Sequence, residues 1–232
     1  MKTDNRPFLD WLALWEQGLP EVALEDVIAD PTRAAILIVD LTRGFCCEGP
    51  LASPRVAGIV PAVVRLVRRA YDLGVRHFLL PQDAHDPRAI EFSAYPPHAV
   101  AGTTESETVD ELRELDFSDL FVVIPKNSIS CDLGTDLEPW LDNHPEVSTF
   151  VVTGDCTDIC VYQAAMYLRM RANVLGQREE RVVVPADCVQ TYDLPVETAQ
   201  ELEALPHDGD LLHAVFLYHM ALNGVEVVAH LA

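Results

Sequence analysis

Several short stretches of this chain are apolar without alternation: Ala34-Ala35-Ile36-Leu37-Ile38-Val39, Phe78-Leu79-Leu80, Phe121-Val122-Val123-Ile124, Phe150-Val151-Val152 and Val182-Val183-Val184. A strand that is apolar on both faces must be covered on both faces, which is the condition of a parallel sheet between two layers of helices. The segments between them fit that demand. Residues 55–73 form an amphipathic pattern closed by Gly74, residues 136–143 a short helix, residues 161–171 a strong helical pattern, and residues 194–205 and 210–223 two more. With strands at 34–39, 76–81, 120–124, 149–153, 181–185 and 225–229, the expected architecture is a doubly wound α/β three-layer sandwich. Its sheet is mostly parallel and has about six strands. Residues 1–30 stand apart as a helix-prone extension, whose Phe8, Leu9, Trp11, Leu12, Leu14 and Trp15 supply an apolar face. Residues 31–232 are read as one domain.

The net charge of -21 excludes nucleic acid and anionic membrane as partners, since both need basic surface. No apolar run reaches the roughly 18 to 20 residues that cross a bilayer. Six cysteines, without a secretory leader pattern ahead of them, point to a reducing, cytoplasmic compartment and to free thiols rather than staples. The tryptophan-bearing extension points to contacts between subunits, and so to a homo-oligomer.

In an open α/β sheet ligands bind beyond the C-terminal strand ends. Polar residues of complementary type stand at four of these ends: Asp40, Asp83, Lys126 and Cys160. Cys160 closes the run Val151-Val152-Thr153-Gly154-Asp155-Cys156-Thr157-Asp158-Ile159-Cys160, in which Gly154 permits a tight turn between strand and helix. Its place at a helix N-terminus favours the thiolate and predicts a lowered thiol pKa. Lys126 is one of only two lysines, the other being Lys2, among sixteen basic residues. Lysine offers a compact charge that a guanidinium does not. Asp40 follows a wholly apolar strand and needs a partner, for which Lys126 is the obvious one. An Asp within reach of a cysteine can take the thiol proton and return it to a leaving amine. Asp83, His85 and His98, in the contexts Gln82-Asp83-Ala84-His85 and Tyr95-Pro96-Pro97-His98, can hold a divalent ion with positions left open. His207, His213 and His219 lack the spacing of a helical metal pair and are read as surface or core residues. Gln163 and Tyr167 are read as scaffold on the buried side of the helix after Cys160.

The runs Ile38-Val39-Asp40-Leu41 with Phe45, Lys126-Asn127-Ser128 followed by Gly134-Thr135-Asp136-Leu137, and Gly154 to Val161 resemble the isochorismatase-like cysteine hydrolases, and the second His looks like the metal site of the nicotinamidase branch. The resemblance covers most of residues 34–190. It implies that Asp40, Lys126 and Cys160 are a catalytic triad and that Phe45 contacts substrate. It also implies a cis peptide between Asp155 and Cys156, with the backbone N–H groups of Cys156 and Cys160 as an oxyanion hole. Asp83, His85 and His98 would hold zinc, iron or manganese. The implied activity is hydrolysis of the C–N bond of a small amide through a thioester. Ala84 stands where those enzymes carry an aromatic, a change expected to widen the ring pocket. The alternatives are a metal-free relative that cleaves an N-carbamoyl group or a vinyl ether, and a binding or scaffold protein that keeps the fold without turnover.

Overall fold

The computed structural model describes residues 4–232. Nine helices and nine strands are described there. The helix α1 (Arg6–Gln17) is followed by a two-residue strand β1 (Glu21–Val22) and a single turn, α2 (Leu24–Val27). The strand β2 (Ala34–Val39) leads through α3 (Arg43–Cys46) into the long helix α4 (Pro54–Leu73), then to β3 (His77–Asp83). After a loop and the turn α5 (Asp110–Arg113) come β4 (Phe121–Lys126), α6 (Leu137–Asn143), β5 (Thr149–Asp155) and α7 (Cys160–Leu175). The chain continues through β6 (Arg181–Pro185), β7 (Val189–Gln190), α8 (Val196–Glu201), α9 (Gly209–Leu222), β8 (Glu226–Val228) and β9 (His230–Leu231).

The main sheet runs β4-β3-β2-β5-β6-β8, with the short β7 pairing on β5 beyond the end of β6, and every pairing is parallel. A separate small ladder joins β1 to β9. The apolar strands are buried on both faces as their composition requires. In β2, Ala34, Ile36 and Ile38 pack into one core with α4, while Ala35, Leu37 and Val39 pack into the other with α7 and α9. Each large side chain so buried contributes roughly 1.5–3 kcal/mol of transfer free energy. Helix α4 lays Val56, Ile59, Val60, Val63, Val67 and Ala70 on the sheet, opens with Pro54 at its first position, and closes at Gly74 with φ 111°.

Strand order reverses between β2 and β5, because β3 and β4 extend the sheet one way and β6 and β8 the other. The C-terminal edge at that point is where the crossovers diverge and leave a crevice. Three strands run further than their apolar patterns suggested, β5 among them, which continues to Asp155. Pro81 and Pro125 read as stops, yet β3 and β4 continue past them to Asp83 and Lys126, which face each other in register. Pro125 is tolerated because β4 is an edge strand. The helix expected over 194–205 shrinks to α8, after which Glu203 takes φ 53°. Gln163 is exposed rather than buried, and only Tyr167 is partly covered. The apolar face of α1 is mostly open: Leu12 is buried, whereas Phe8, Trp11 and Leu14 stay exposed and the aromatic rings gather round Tyr218 of α9. No described helix is long and apolar enough to cross a membrane.

Candidate active site

Asp40 follows β2 and Cys160 opens α7 directly after β5, so they flank the switch point of the sheet. Asp40 has φ 53°, a left-handed conformation that costs a non-glycine residue free energy and that recurs at functional positions. Gly154 in β5 has φ 110°, and a Cβ there would run into the Val39 carbonyl; only glycine lets the two strand ends lie this close. The Asp155–Cys156 peptide is cis. Among the described residues, the backbone N–H groups of Cys156 and Cys160 donate no hydrogen bond, whereas the neighbouring Ile159 and Val161 N–H groups both donate to the Cys156 carbonyl.

Lys126 ties these residues together. Its Nζ lies 2.8 Å from Asp40 Oδ2, 2.6 Å from Asp83 Oδ1 and 3.4 Å from Cys160 Sγ, and it also donates to the Ser128 carbonyl at 3.3 Å. All four side chains are buried. Asp40 Oδ1 accepts from the Asp83 backbone N–H at 2.7 Å. Burial, reinforced by the charge of Asp83 and opposed by Lys126, pushes the Asp40 carboxyl up to about 6. Burial acts in the same sense on Asp83, but Lys126 and the imidazoles of His85 and His98 outweigh it and hold that carboxyl well below the usual range. Lys126 stays charged because Asp40, Cys160 and Asp83 outweigh the cost of burial.

The lowered thiol pKa expected for Cys160 is not what the structure gives. Burial is the largest influence and pushes the thiol up; Lys126 opposes it, while the charges of Asp40 and Asp83 reinforce it.

Asp83 also faces the other way. His85 Nε2 lies 3.4 Å and His98 Nε2 3.8 Å from its Oδ2. The two imidazoles meet because His85 bridges to Val100, its backbone N–H donating to the Ala99 carbonyl and its carbonyl accepting from Ala101. His98 Nδ1 donates to the Pro96 carbonyl at 2.8 Å, and His85 Nδ1 to Asn127 Oδ1 at 3.3 Å. Both rings are thus left with Nε2 as a lone-pair donor, and His85 Nε2 is buried with no partner. One ligand atom from each of Asp83, His85 and His98 falls within 4.8 Å of the others, an arrangement that suits a divalent ion. Glu91 Oε1, 4.0 Å from His85 Nε2, adds a carboxylate that the sequence did not single out.

These groups open into a cavity of about 970 Å³. Phe45 lines it and meets the His98 ring edge-on at 5.6 Å. Ala84 is not among the lining residues, and the space extends toward Leu51, Leu194 and Leu205. His207 donates from Nδ1 to the Tyr192 carbonyl, pairs through Nε2 with Asp158 at 2.8 Å, and stacks on the Tyr192 ring. It thereby fastens one wall of the cavity to the turn that carries Cys160.

Residues 34–209 match the isochorismatase domain family. The chain belongs to the isochorismatase family. Within it, this family member lies in the nicotinamidase-like branch. It is 32% identical over 220 residues to nicotinamidase 1 of Arabidopsis thaliana, covering 87% of each chain. Its structure resembles the pyrazinamidase/nicotinamidase of Streptococcus mutans, with 25% identity, a TM-score of 0.65, and coverage of 84% of this chain and 99% of the other. The fold is shared with the pyrazinamidase of Pyrococcus horikoshii in complex with zinc, with 23% identity, a TM-score of 0.63, and coverage of 84% and 98%. An isochorismatase-family hydrolase of this branch acts on C–N bonds.

Proposed function

We propose that the chain hydrolyses the C–N bond of a small amide, with Asp40, Lys126 and Cys160 as catalytic residues. The supporting observation is the buried contact set at the switch point, in which Lys126 lies within 2.8 Å of Asp40 and 3.4 Å of Cys160. Asp40 accepts the Cys160 proton as sulfur attacks the carbonyl carbon, so the charge that develops on oxygen meets the unengaged backbone N–H groups of Cys156 and Cys160. Asp40 then gives that proton to the leaving nitrogen, and ammonia departs from a thioester. Water attacks the thioester, its proton passing to Asp40, and the acid is released as the proton returns to Cys160. Throughout, Lys126 balances the charge of Asp40 and Asp83 and keeps the carboxylate beside the thiol. Phe45 packs against the bound substrate.

Asp83, His85 and His98 would hold a divalent ion, zinc, iron or manganese, which offers an electrophilic anchor for a ring nitrogen of the substrate. Zinc in the Pyrococcus horikoshii neighbour and the convergence of both Nε2 atoms on Asp83 Oδ2 support this ligand set. The test is ammonia release from nicotinamide, pyrazinamide and carbamoyl amino acids by a sample whose metal content is measured. Release from the first two by protein holding about one divalent ion, and none from Cys160→Ala, is expected. Activity on carbamoyl amino acids alone, or in metal-free protein untouched by chelator, would overturn it.

A further inference from the structure

The cavity is larger than its reacting end. Asp40, Asp83 and Cys160 line its buried part, and the ion proposed on Asp83, His85 and His98 belongs to that same end. A volume near 970 Å³ is at the upper limit of the roughly 300–1,000 Å³ that takes drug-sized ligands, and well beyond the needs of a single ring with one carboxamide. The space further out is lined by Leu51, Leu194, Leu202 and Leu205. The carboxylates beside these leucines are already served: Asp193 Oδ1 accepts from the Gly209 N–H at 2.9 Å, and Glu203 is exposed to water.

Leu194, Leu202 and Leu205 come from one segment. Leu194 and His207 bridge its base, the N–H of each donating to the carbonyl of the other at 2.7 and 2.9 Å. His207 also pairs with Asp158 at 2.8 Å, so the base is fixed against the turn that carries Cys160. Between the two ends, Leu202 and Leu205 are 65% and 87% exposed, and Glu203 takes φ 53°, a left-handed conformation unfavourable for a residue with a Cβ. A leucine scattered singly on a surface needs no explanation. Here two of them, on either side of a strained residue, line the same cavity as the thiol. An apolar wall left in water forgoes transfer free energy until an apolar group covers it. Continuity decides what that group is, because whatever covers these leucines shares the space in which Cys160 stands and enters it with the amide.

We propose that Leu194, Leu202 and Leu205 form a specificity-determining subsite for an apolar arm of the substrate. The amide is then a ring carboxamide that carries an aliphatic or aryl substituent on the side facing away from the scissile group. The inference rests on the amide-hydrolase reading and adds to it the class of amide. It holds with the divalent ion in place. In a nicotinamide the ring nitrogen and the 3-carboxamide share one edge, so the buried end, ion included, takes that edge and the 5-position faces away from it. Preference follows from apolar area withdrawn from water and needs no charge on the arm.

Binding is read by calorimetry on the full-length Cys160→Ala protein at one measured metal content, with nicotinamide, 5-cyclohexylnicotinamide and 5-(oxan-4-yl)nicotinamide as probes. All three present the same ring nitrogen and carboxamide, so contacts with the ion cancel in the ratios. The last two differ by one methylene replaced by an ether oxygen. The cyclohexyl compound should bind roughly tenfold tighter than nicotinamide or better, and roughly threefold or more tighter than the oxanyl compound. Adding Leu202→Asn and Leu205→Asn, both at exposed positions that the fold does not bury, should cut the cyclohexyl advantage by about fivefold or more. Binding of nicotinamide and the cyclohexyl compound within twofold of each other, an equal gain for the oxanyl compound, or an advantage that survives both asparagines overturns the inference. If the advantage survives and the asparagines also turn a dimer into a monomer in sedimentation, the leucines belong to a contact with a second copy of the chain. Ammonia release by the Cys160-intact protein separates the two readings. The binding ratios without release from any probe would overturn the amidase reading alone, and release from nicotinamide without the ratios would overturn the subsite alone.

Discussion

Lys126 is the residue on which the site's electrostatics turn. It is 1% exposed, and two buried carboxylates and a thiol depend on its charge. Removing one partner from a buried ionic cluster leaves the others uncompensated, at a cost of about 3–5 kcal/mol. Lys126→Met should therefore lower the unfolding free energy by about that much in urea, and a loss below about 1 kcal/mol would show that the cluster relaxes without it. Cys160 carries the opposite lesson. A helix N-terminus alone argues for a lowered thiol pKa, whereas burial pushes this thiol up. The metal ligands permit an independent reading. Zn²⁺ at a hundred times its dissociation constant should stabilise the metal-free protein by about 2.7 kcal/mol, seen as a rise in Tm. The rise should vanish in His98→Ala, and an equal rise in that variant would remove His98 from the ligand set.

Among the elements, the apolar strands were legible because burial on both faces leaves no alternation to misread, and Asp40 and Cys160 stood out as polar groups just beyond them. Strand ends were less legible. Pro81 and Pro125 concealed the last residues of β3 and β4, and with them the in-register pairing of Asp83 and Lys126. Asp155 passed as part of a turn, because both faces of β5 are buried and parity along it separates no inward side chain from an outward one. Glu91 had no signal, since its approach to His85 depends on how the loop after β3 folds back. The contact between the nucleophile turn and α9 offers a test of its own. Thr157 hydrogen-bonds His213 Nδ1 at 2.8 Å, and burial, with the charge of Arg55 next, lowers the His213 pKa to about 4. The unfolded chain then binds a proton that the folded one refuses. Stability should be complete above about pH 6.5 and fall as pH drops toward 4, by about 3 kcal/mol from this group. Glu180, raised to about 7 chiefly by burial, acts in the opposite sense, so the comparison to make is between wild type and His213→Gln. The variant should lack the His213 component of acid destabilisation; parallel curves would assign that component elsewhere.

For the whole molecule, the reversal of strand order between β2 and β5 explains why one edge collects every reactive group. Four strand ends and one helix start converge there, and the loops that follow build a deep cavity over them. Doubly wound topology was readable from the alternation of strands and helices, whereas the cavity's size was not, because its outer part is built by loops whose course no local pattern dictates. Leu194 and Leu205 illustrate this: each is an ordinary leucine in sequence, and both line the cavity in the fold. The central claim is that Cys160 attacks the amide carbonyl and carries the acyl group. Its most direct test is intact-protein mass spectrometry on an acid-quenched reaction with nicotinamide. A nicotinoyl adduct that maps to the peptide containing Cys160 and is absent from Cys160→Ala is predicted; acid product formed at an undiminished rate by Cys160→Ala would contradict it.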